Sequence, residues 1–307
     1  GYAVNMDKSG LLADSLVTGV TTPADTPIRI NNSTMSGVTV SHCSGASYGG
    51  IRMTGGTSLI TNCIVRFNSG NSVGGIRADG TMNLVDVVIE GNSSYGGTWS
   101  GDIGGLHSED TLNATRCRIQ GNEGRYVGGC SLGPWDKLTF VNCLIADNIG
   151  GIRGDSAIGG VRLNASASTT VFRNCTISGN RVAQGPADGV LFGRAANLEN
   201  TIVYGNGTRA SPIDIATTAA CTYNHCLVPA GTANAGSDCL FDDPGFKSPA
   251  RGDYRLKGGS PCRDAGTPLT WTEADLDLDL LPRLYCGLPD IGCYEHQGGD
   301  GTVLILR

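Results

Sequence analysis

One eight-residue segment recurs in register along the chain, and it limits the fold more than any other feature. The copies run Thr61-Asn-Cys-Ile-Val-Arg-Phe-Asn68, Val85-Asp-Val-Val-Ile-Glu-Gly-Asn92, Thr115-Arg-Cys-Arg-Ile-Gln-Gly-Asn122, Val141-Asn-Cys-Leu-Ile-Ala-Asp-Asn148, Arg173-Asn-Cys-Thr-Ile-Ser-Gly-Asn180 and Glu199-Asn-Thr-Ile-Val-Tyr-Gly-Asn206. The third and fifth positions are mostly apolar or Cys with polar residues between, the period-2 pattern of a strand with one buried face. A second, glycine-led segment precedes each copy, its second Gly 12 to 15 residues before the copy's third position: Gly49-Gly-Ile-Arg-Met53, Gly74-Gly-Ile-Arg-Ala78, Gly104-Gly-Leu-His-Ser108, Gly128-Gly-Cys-Ser-Leu132, Gly159-Gly-Val-Arg-Leu163 and Asp188-Gly-Val-Leu-Phe192. The reading is two strands per rung. Core positions 43, 63, 87, 117, 143, 175, 201 and 226 set rungs of 20 to 32 residues, with insertions at 93–103, 149–158 and 181–187 expelled as loops.

Such a rung cannot bury its apolar face alone, so rungs must stack. The glycine pairs are expected to supply turns with positive φ, and the terminal Asn of each copy to adopt the left-handed region while its amide bonds a neighbouring rung. With 47 Gly but no Gly-X-Y period, the chain has many tight turns without being collagen-like. Left-handed hexapeptide helices and leucine-rich repeats have neither this period nor this pattern. Residues 36–228 resemble the right-handed parallel β-helix repeat family, so the expected class is all-β. The expected division is 1–228 for the rungs and 229–307 for a closing module packed on the solenoid.

Asp242-Asp-Pro-Gly-Phe246, Gly252-Asp-Tyr-Arg-Leu256, Gly259-Ser-Pro-Cys-Arg-Asp-Ala-Gly266, Asp277-Leu-Asp-Leu-Leu-Pro-Arg283 and Asp290-Ile-Gly-Cys-Tyr-Glu295 resemble the closing module of the choice-of-anchor Q proteins. That resemblance implies a secreted or surface bacterial β-helix protein. Leu280 stands where the module usually has Gly, which puts that turn's shape in question; the resemblance leads one to expect a sorting segment after the module, and Gly301-Thr-Val-Leu-Ile-Leu-Arg307 does not resemble one.

A net charge of −6 and the lack of a basic tract argue against nucleic-acid binding. No run of apolar residues is long enough for membrane insertion, and the abrupt start resembles a processed piece. Twelve cysteines with few lysines favour a secreted or extracellular cell-surface setting. Cys43, Cys63, Cys117, Cys143, Cys175 and Cys226 are read as an inward column, with Cys130 inward on the other strand. Core packing is the favoured role, because buried Cys behaves as a small hydrophobe; occasional disulfides between rungs and a metal or redox wire are the alternatives. Cys221, Cys239, Cys262, Cys286 and Cys293 lie in the less regular part, where at least one disulfide is expected.

The outward position of the glycine-led strand reads Arg52, Arg77, His107, Ser131, Arg162 and Leu191. Stacked guanidinium groups suit bidentate bonds to carboxylates or sulfates, so Arg52, Arg77, His107 and Arg162 are the candidate binding residues for an acidic polysaccharide. A solvated face balanced by nearby acids is the competing reading. Catalysis would need paired carboxylates or a base with a cation. The outward acids are Glu90, Asp102, Glu109, Asp110, Asp136, Asp147 and Asp155, with Asp102, Glu109 and Asp110 near His107 the best cluster. Asp275, Asp277 and Asp279 alternate, an oxygen-rich run suited to Ca²⁺, although turn and backbone capping is the favoured explanation, because the run lacks a Gly and a distal bidentate acid. The leading expectation is a non-catalytic surface module that binds, adheres or has a structural role. A polysaccharide lyase or glycoside hydrolase of an acidic glycan is the first alternative. A fibre or sheath subunit, assembling end to end or by its surface, is the second.

Overall fold

The computed structural model of the 307-residue chain describes residues 2–23, 25–96, 101–133, 137–151, 157–164, 170–208, 210–272, 274–285 and 287–298. The chain winds into a parallel β-solenoid. Its first sheet runs from Val4–Asp7 to Ile215–Thr217 and its second from Leu11–Ala13 to Cys221–Asn224, each with nine strands among the described residues. The third runs from Leu16–Thr18 to Ile202–Val203, and a fourth of two-residue strands from Thr21–Thr22 to Arg181–Val182. Strands in all four sheets pair in parallel with the equivalent strand of the next rung.

Each rung therefore has four strands where the sequence pattern indicated two. The repeated segment breaks after its second residue: Asn62, Asp86, Arg116, Asn142, Asn174 and Asn200 all have φ near +50° and turn the chain from the second sheet into the third. A second corner falls one residue before each terminal Asn, at Phe67, Gly91, Gly121, Asp147, Gly179 and Gly205, all with positive φ. The terminal Asn itself is not left-handed. The fourth strands Ser93–Ser94, Ile149–Gly150 and Arg181–Val182 lie inside segments expected to be loops; two residues are too few to show a period.

The glycine pairs have a different cause from the expected positive φ, which none of them shows. A Cβ on Gly75 would stand 2.4 Å from the carbonyl oxygen of Gly105, and one on Gly105 2.6 Å from that of Gly129. Successive rungs come too close here for any side chain.

The expected inward column of Cys63, Val87, Cys117, Cys143, Cys175 and Thr201 is present and fully buried. Its start differs: register places Val38 below Cys63, and Cys43 is at the foot of the asparagine column. Ser36 to Cys43 is a further copy of the repeat with Cys in place of Asn, so the interval from 43 to 63 was measured between unlike positions. Asn68, Asn92, Asn122, Asn148, Asn180 and Asn206 form the continuous ladder. Asn148 Oδ1 accepts from the backbone N–H and Nδ2 of Asn122, both at 3.0 Å, while its Nδ2 donates to Ile119 O at 2.9 Å and Asn180 Oδ1 at 2.8 Å.

The thiols follow a similar rule. Cys143 Sγ accepts the backbone N–H of Cys117 at 3.4 Å and donates to Val141 O at 3.2 Å. Thr201 makes the same pair of bonds, from Cys175 N and to Glu199 O. Cys is used where a small apolar group must also meet a backbone amide freed by the corner. All eleven described cysteines are free thiols, Cys221, Cys239, Cys262 and Cys293 included, so the expected disulfide is absent among the described residues. These four are buried in apolar layers instead; Cys286 lies outside the described residues.

After Val228 the chain folds back over the outer face of the third sheet. Phe246, Tyr254, Leu256, Cys262, Ile291, Cys293 and Tyr294 pack on Leu144, Ala146, Ile202 and Leu227. The corner asparagines anchor it: Asn142, Asn174 and Asn200 donate to the carbonyls of Leu276, Asp290 and Thr267. Tyr254 donates its hydroxyl to Asp147 at 2.6 Å, and Asp279 bridges Arg118 at 2.7 Å and Arg255 at 2.6 Å. No helix among the described residues is long and apolar enough to cross a membrane.

Candidate functional site

Parallel register puts Arg52, Arg77, His107, Ser131, Arg162 and Leu191 in one outward row of the first sheet. The row begins one rung earlier, at Arg29. That residue escaped notice because its strand, Ile28–Asn31, follows Pro27 instead of a glycine pair.

Carboxylates alternate with the cations. Arg29 pairs with Asp7 at 2.9 Å and Arg52 with Asp25 at 2.7 Å; Arg77 pairs with Asp79 at 2.6 Å and Glu109 at 3.5 Å. Asp79 and Glu109 each follow their row residue by two positions, so the strand's alternation puts acid and base on the same face. Most of the like-charge repulsion expected of the row is thereby neutralised within the protein.

His107 does not face solvent. It is 6% exposed, and its Nε2 is 2.8 Å from Glu109 Oε1. Burial pushes the imidazole below its ordinary value, partly opposed by the Glu109 hydrogen bond, and the bond from His107 in turn lowers Glu109. His107 is therefore neutral near pH 7 and serves to position Glu109. Arg162 differs from its neighbours: its guanidinium stacks on Tyr126 at 4.7 Å, and no carboxylate among the described residues pairs with it. Arg52 stacks likewise on Tyr48 at 4.9 Å. Rings beside guanidinium groups give the face flat apolar surface as well as donors.

The other candidate acids do not converge. Asp102 is buried with Arg125 4.0 Å from its carboxylate, and Asp110 accepts from Ser108 Oγ only through its backbone carbonyl. Glu90 is 3.8 Å from Arg66, and Asp147 receives Tyr254 and Gln120. Asp136 and Asp155 lie outside the described residues.

Asp275, Asp277 and Asp279 point to three different tasks. Asp275 Oδ2 accepts the Thr272 N–H and hydroxyl; Asp277 is fully buried and receives the backbone N–H groups of Asp279, Leu281 and Glu295; Asp279 is the two-arginine bridge. These carboxylates are already satisfied by capping and ion pairing. The acids that do come together are Asp264, Asp290 and Glu295, with one oxygen from each within 4.8 Å of the others. Their spacing of 26 and 5 residues has no motif to reveal it.

The family comparison agrees with this architecture. The model for the right-handed β-helix region matches residues 26–228. A crystal structure of pectate lyase Pel9A is similar over 88% of this chain and 73% of its own, at 16% identity and a TM-score of 0.47. No curated protein matches the sequence. The family match covers well over half of the chain and spans both the buried asparagine ladder and the row of arginines: the chain belongs to the right-handed β-helix family.

Proposed function

We propose that this chain is an extracellular surface module that binds an acidic polysaccharide along the outer face of its first sheet without cleaving it. The observation that carries the reading is the in-register row of Arg29, Arg52, Arg77 and Arg162, with Tyr48 and Tyr126 stacked on two of them. An extended anionic chain lying along the solenoid meets a guanidinium on four rungs. The resemblance of residues 242–295 to the choice-of-anchor Q closing module supports the surface setting.

The internal ion pairs set the expected strength. Each carboxylate of the ligand competes with Asp25, Asp79 or Glu109, and an exposed pair is worth only about 0–1 kcal/mol. Binding is therefore weak per rung, needs several rungs together, and falls as salt rises. Arg162 has no such competitor among the described residues and dominates. Binding of polygalacturonate and sulfated glycans to wild type, Arg162→Ala and the triple variant Arg52→Ala, Arg77→Ala, Arg162→Ala tests this. The expected order of affinity is wild type, single variant, triple variant; equal affinity of all three for an acidic glycan refutes the reading. The lyase or hydrolase alternative draws on the His107–Glu109 pair beside Arg77, and release of oligosaccharide products in the same assay would replace the binding reading with it.

A further inference from the structure

We propose that Asp264, Asp290 and Glu295 hold a divalent cation, most suitably Ca²⁺, that pins the closing segment. The site lies away from the arginine row and does not depend on the glycan reading. One oxygen of each carboxylate lies within 4.8 Å of the other two. The Asp264 carboxylate is exposed and makes no hydrogen bond among the described residues, so it gives solvent a route to the group.

A second observation concerns Glu295, a member of the cluster. Glu295 is 5% exposed; its Oε2 accepts the Asp290 N–H at 2.9 Å, but its Oε1 is completely buried and has no partner. A buried carboxylate oxygen with no donor is costly unless a cation or proton meets it. Asp290 is held firmly, one oxygen receiving Asp264 N at 2.8 Å and the other His296 N at 2.6 Å, which leaves a lone pair on each for a metal.

The charge count favours a cation. Asp264, Asp277, Asp290 and Glu295 are four carboxylates in one network, and the guanidinium facing them is Arg283. Arg283 is fully buried with its Nη2 3.5 Å from Glu295; that nitrogen donates to the carbonyls of Asp290 and Gly292, its Nε and Nη1 have no hydrogen-bond partner, and its single positive charge stands against four carboxylates. Like charges this close cannot all stay ionised without a counter-ion. Carboxylate oxygens with room for water on the Asp264 side match the flexible oxygen shell of Ca²⁺ better than the strict octahedron of Mg²⁺.

The test uses the full chain at pH 7.5. Thermal melts in EDTA and in Ca²⁺ up to about 10 mM, the weak end of extracellular sites, are paired with calorimetric titration of Ca²⁺. Wild type is expected to bind Ca²⁺ and melt higher with it, reversibly on chelation. Asp264→Asn and Glu295→Gln should each weaken binding at least about tenfold while melting no lower than wild type in EDTA, because each removes a mutually repelling charge. Asp275→Asn, from the alternating run, should respond as wild type does. Three results overturn the proposal: no Ca²⁺-dependent shift, a shift of wild-type size in both Asp264→Asn and Glu295→Gln, or stabilisation produced only by lowering pH, which would assign the counter-ion role to a proton. If Glu295→Gln does not fold, Asp264→Asn decides alone.

Discussion

Replacing Asn148 with alanine tests whether the asparagine ladder holds the rungs together or merely lies between them. The side chain is fully buried and makes four hydrogen bonds of 2.8–3.0 Å, two as acceptor from Asn122 and two as donor to Ile119 O and Asn180 Oδ1. Each buried bond contributes about 0.5–1.5 kcal/mol net, and an abandoned buried partner costs about 1–3 kcal/mol. Because the deletion strands the backbone N–H of Asn122 and one carbonyl, we expect a loss of about 3–5 kcal/mol. Urea unfolding followed by circular dichroism reads this as a lower midpoint at unchanged slope. The pair Asn122→Ala and Asn148→Ala should cost less together than the sum of the singles, by about 0.5–3 kcal/mol, since both singles break the same Asn122 Nδ2–Asn148 Oδ1 bond. A loss below about 1 kcal/mol for Asn148→Ala, or full additivity, would show that the amides are spectators and that apolar burial alone fixes rung spacing.

Four further outcomes are expected. Cys143→Thr should cost under about 1 kcal/mol and Cys143→Val about 1–2 kcal/mol, because Thr201 already makes the column's two bonds and a valine makes neither; chemical denaturation distinguishes them. A thiol reagent should find none of the eleven described cysteines in the native protein and all of them in denaturant, and a native-state count of several would contradict their burial. The lowered pKa of His107 means that the unfolded chain takes up its proton first as pH falls below 6.5, so stability present at neutral pH declines on acidification, at most about 1.4 kcal/mol per pH unit from this group; His107→Gln should remove that part of the slope in pH-dependent melts. Asp279→Asn should weaken the Arg118 and Arg255 bridge by about 1–3 kcal/mol and speed hydrogen exchange in the closing segment before the rungs, whereas uniform exchange would deny it a local role.

The solenoid was legible because each rung restates the same local chemistry, and a buried column shows itself as a residue type at fixed phase. Cys43 misled for the same reason: it has the identity of the thiol column but the phase of the asparagine ladder, and only register separates Val38 from it. The corners were hidden inside an uninterrupted polar–apolar alternation, since Asn62 and its equivalents reverse the chain with no glycine or proline to announce it. The arginine row could be placed from sequence, and so could its neutralisation, because Arg77-x-Asp79 and His107-x-Glu109 put both partners on one face. The closing segment's contacts could not. Arg118 meets Asp279 and Asn174 meets Asp290 across more than 110 residues with no pattern to link them, and the grouping of Asp264, Asp290 and Glu295 depends on that folding-back.

The closing segment gives the protein a mechanical direction. It straps the outer face of the third sheet from the rung of Arg118 to that of Leu227, whereas Leu16, Thr39, Ile64 and Val88 on the same sheet face lie ahead of the strap. A load drawn along the axis meets the earlier rungs joined only by neighbour-to-neighbour bonds, which yield one after another like links in series. The later rungs share the load with a parallel tie, so tension peels the module from its amino-terminal side, and the segment from Arg118 onward is the last to give way.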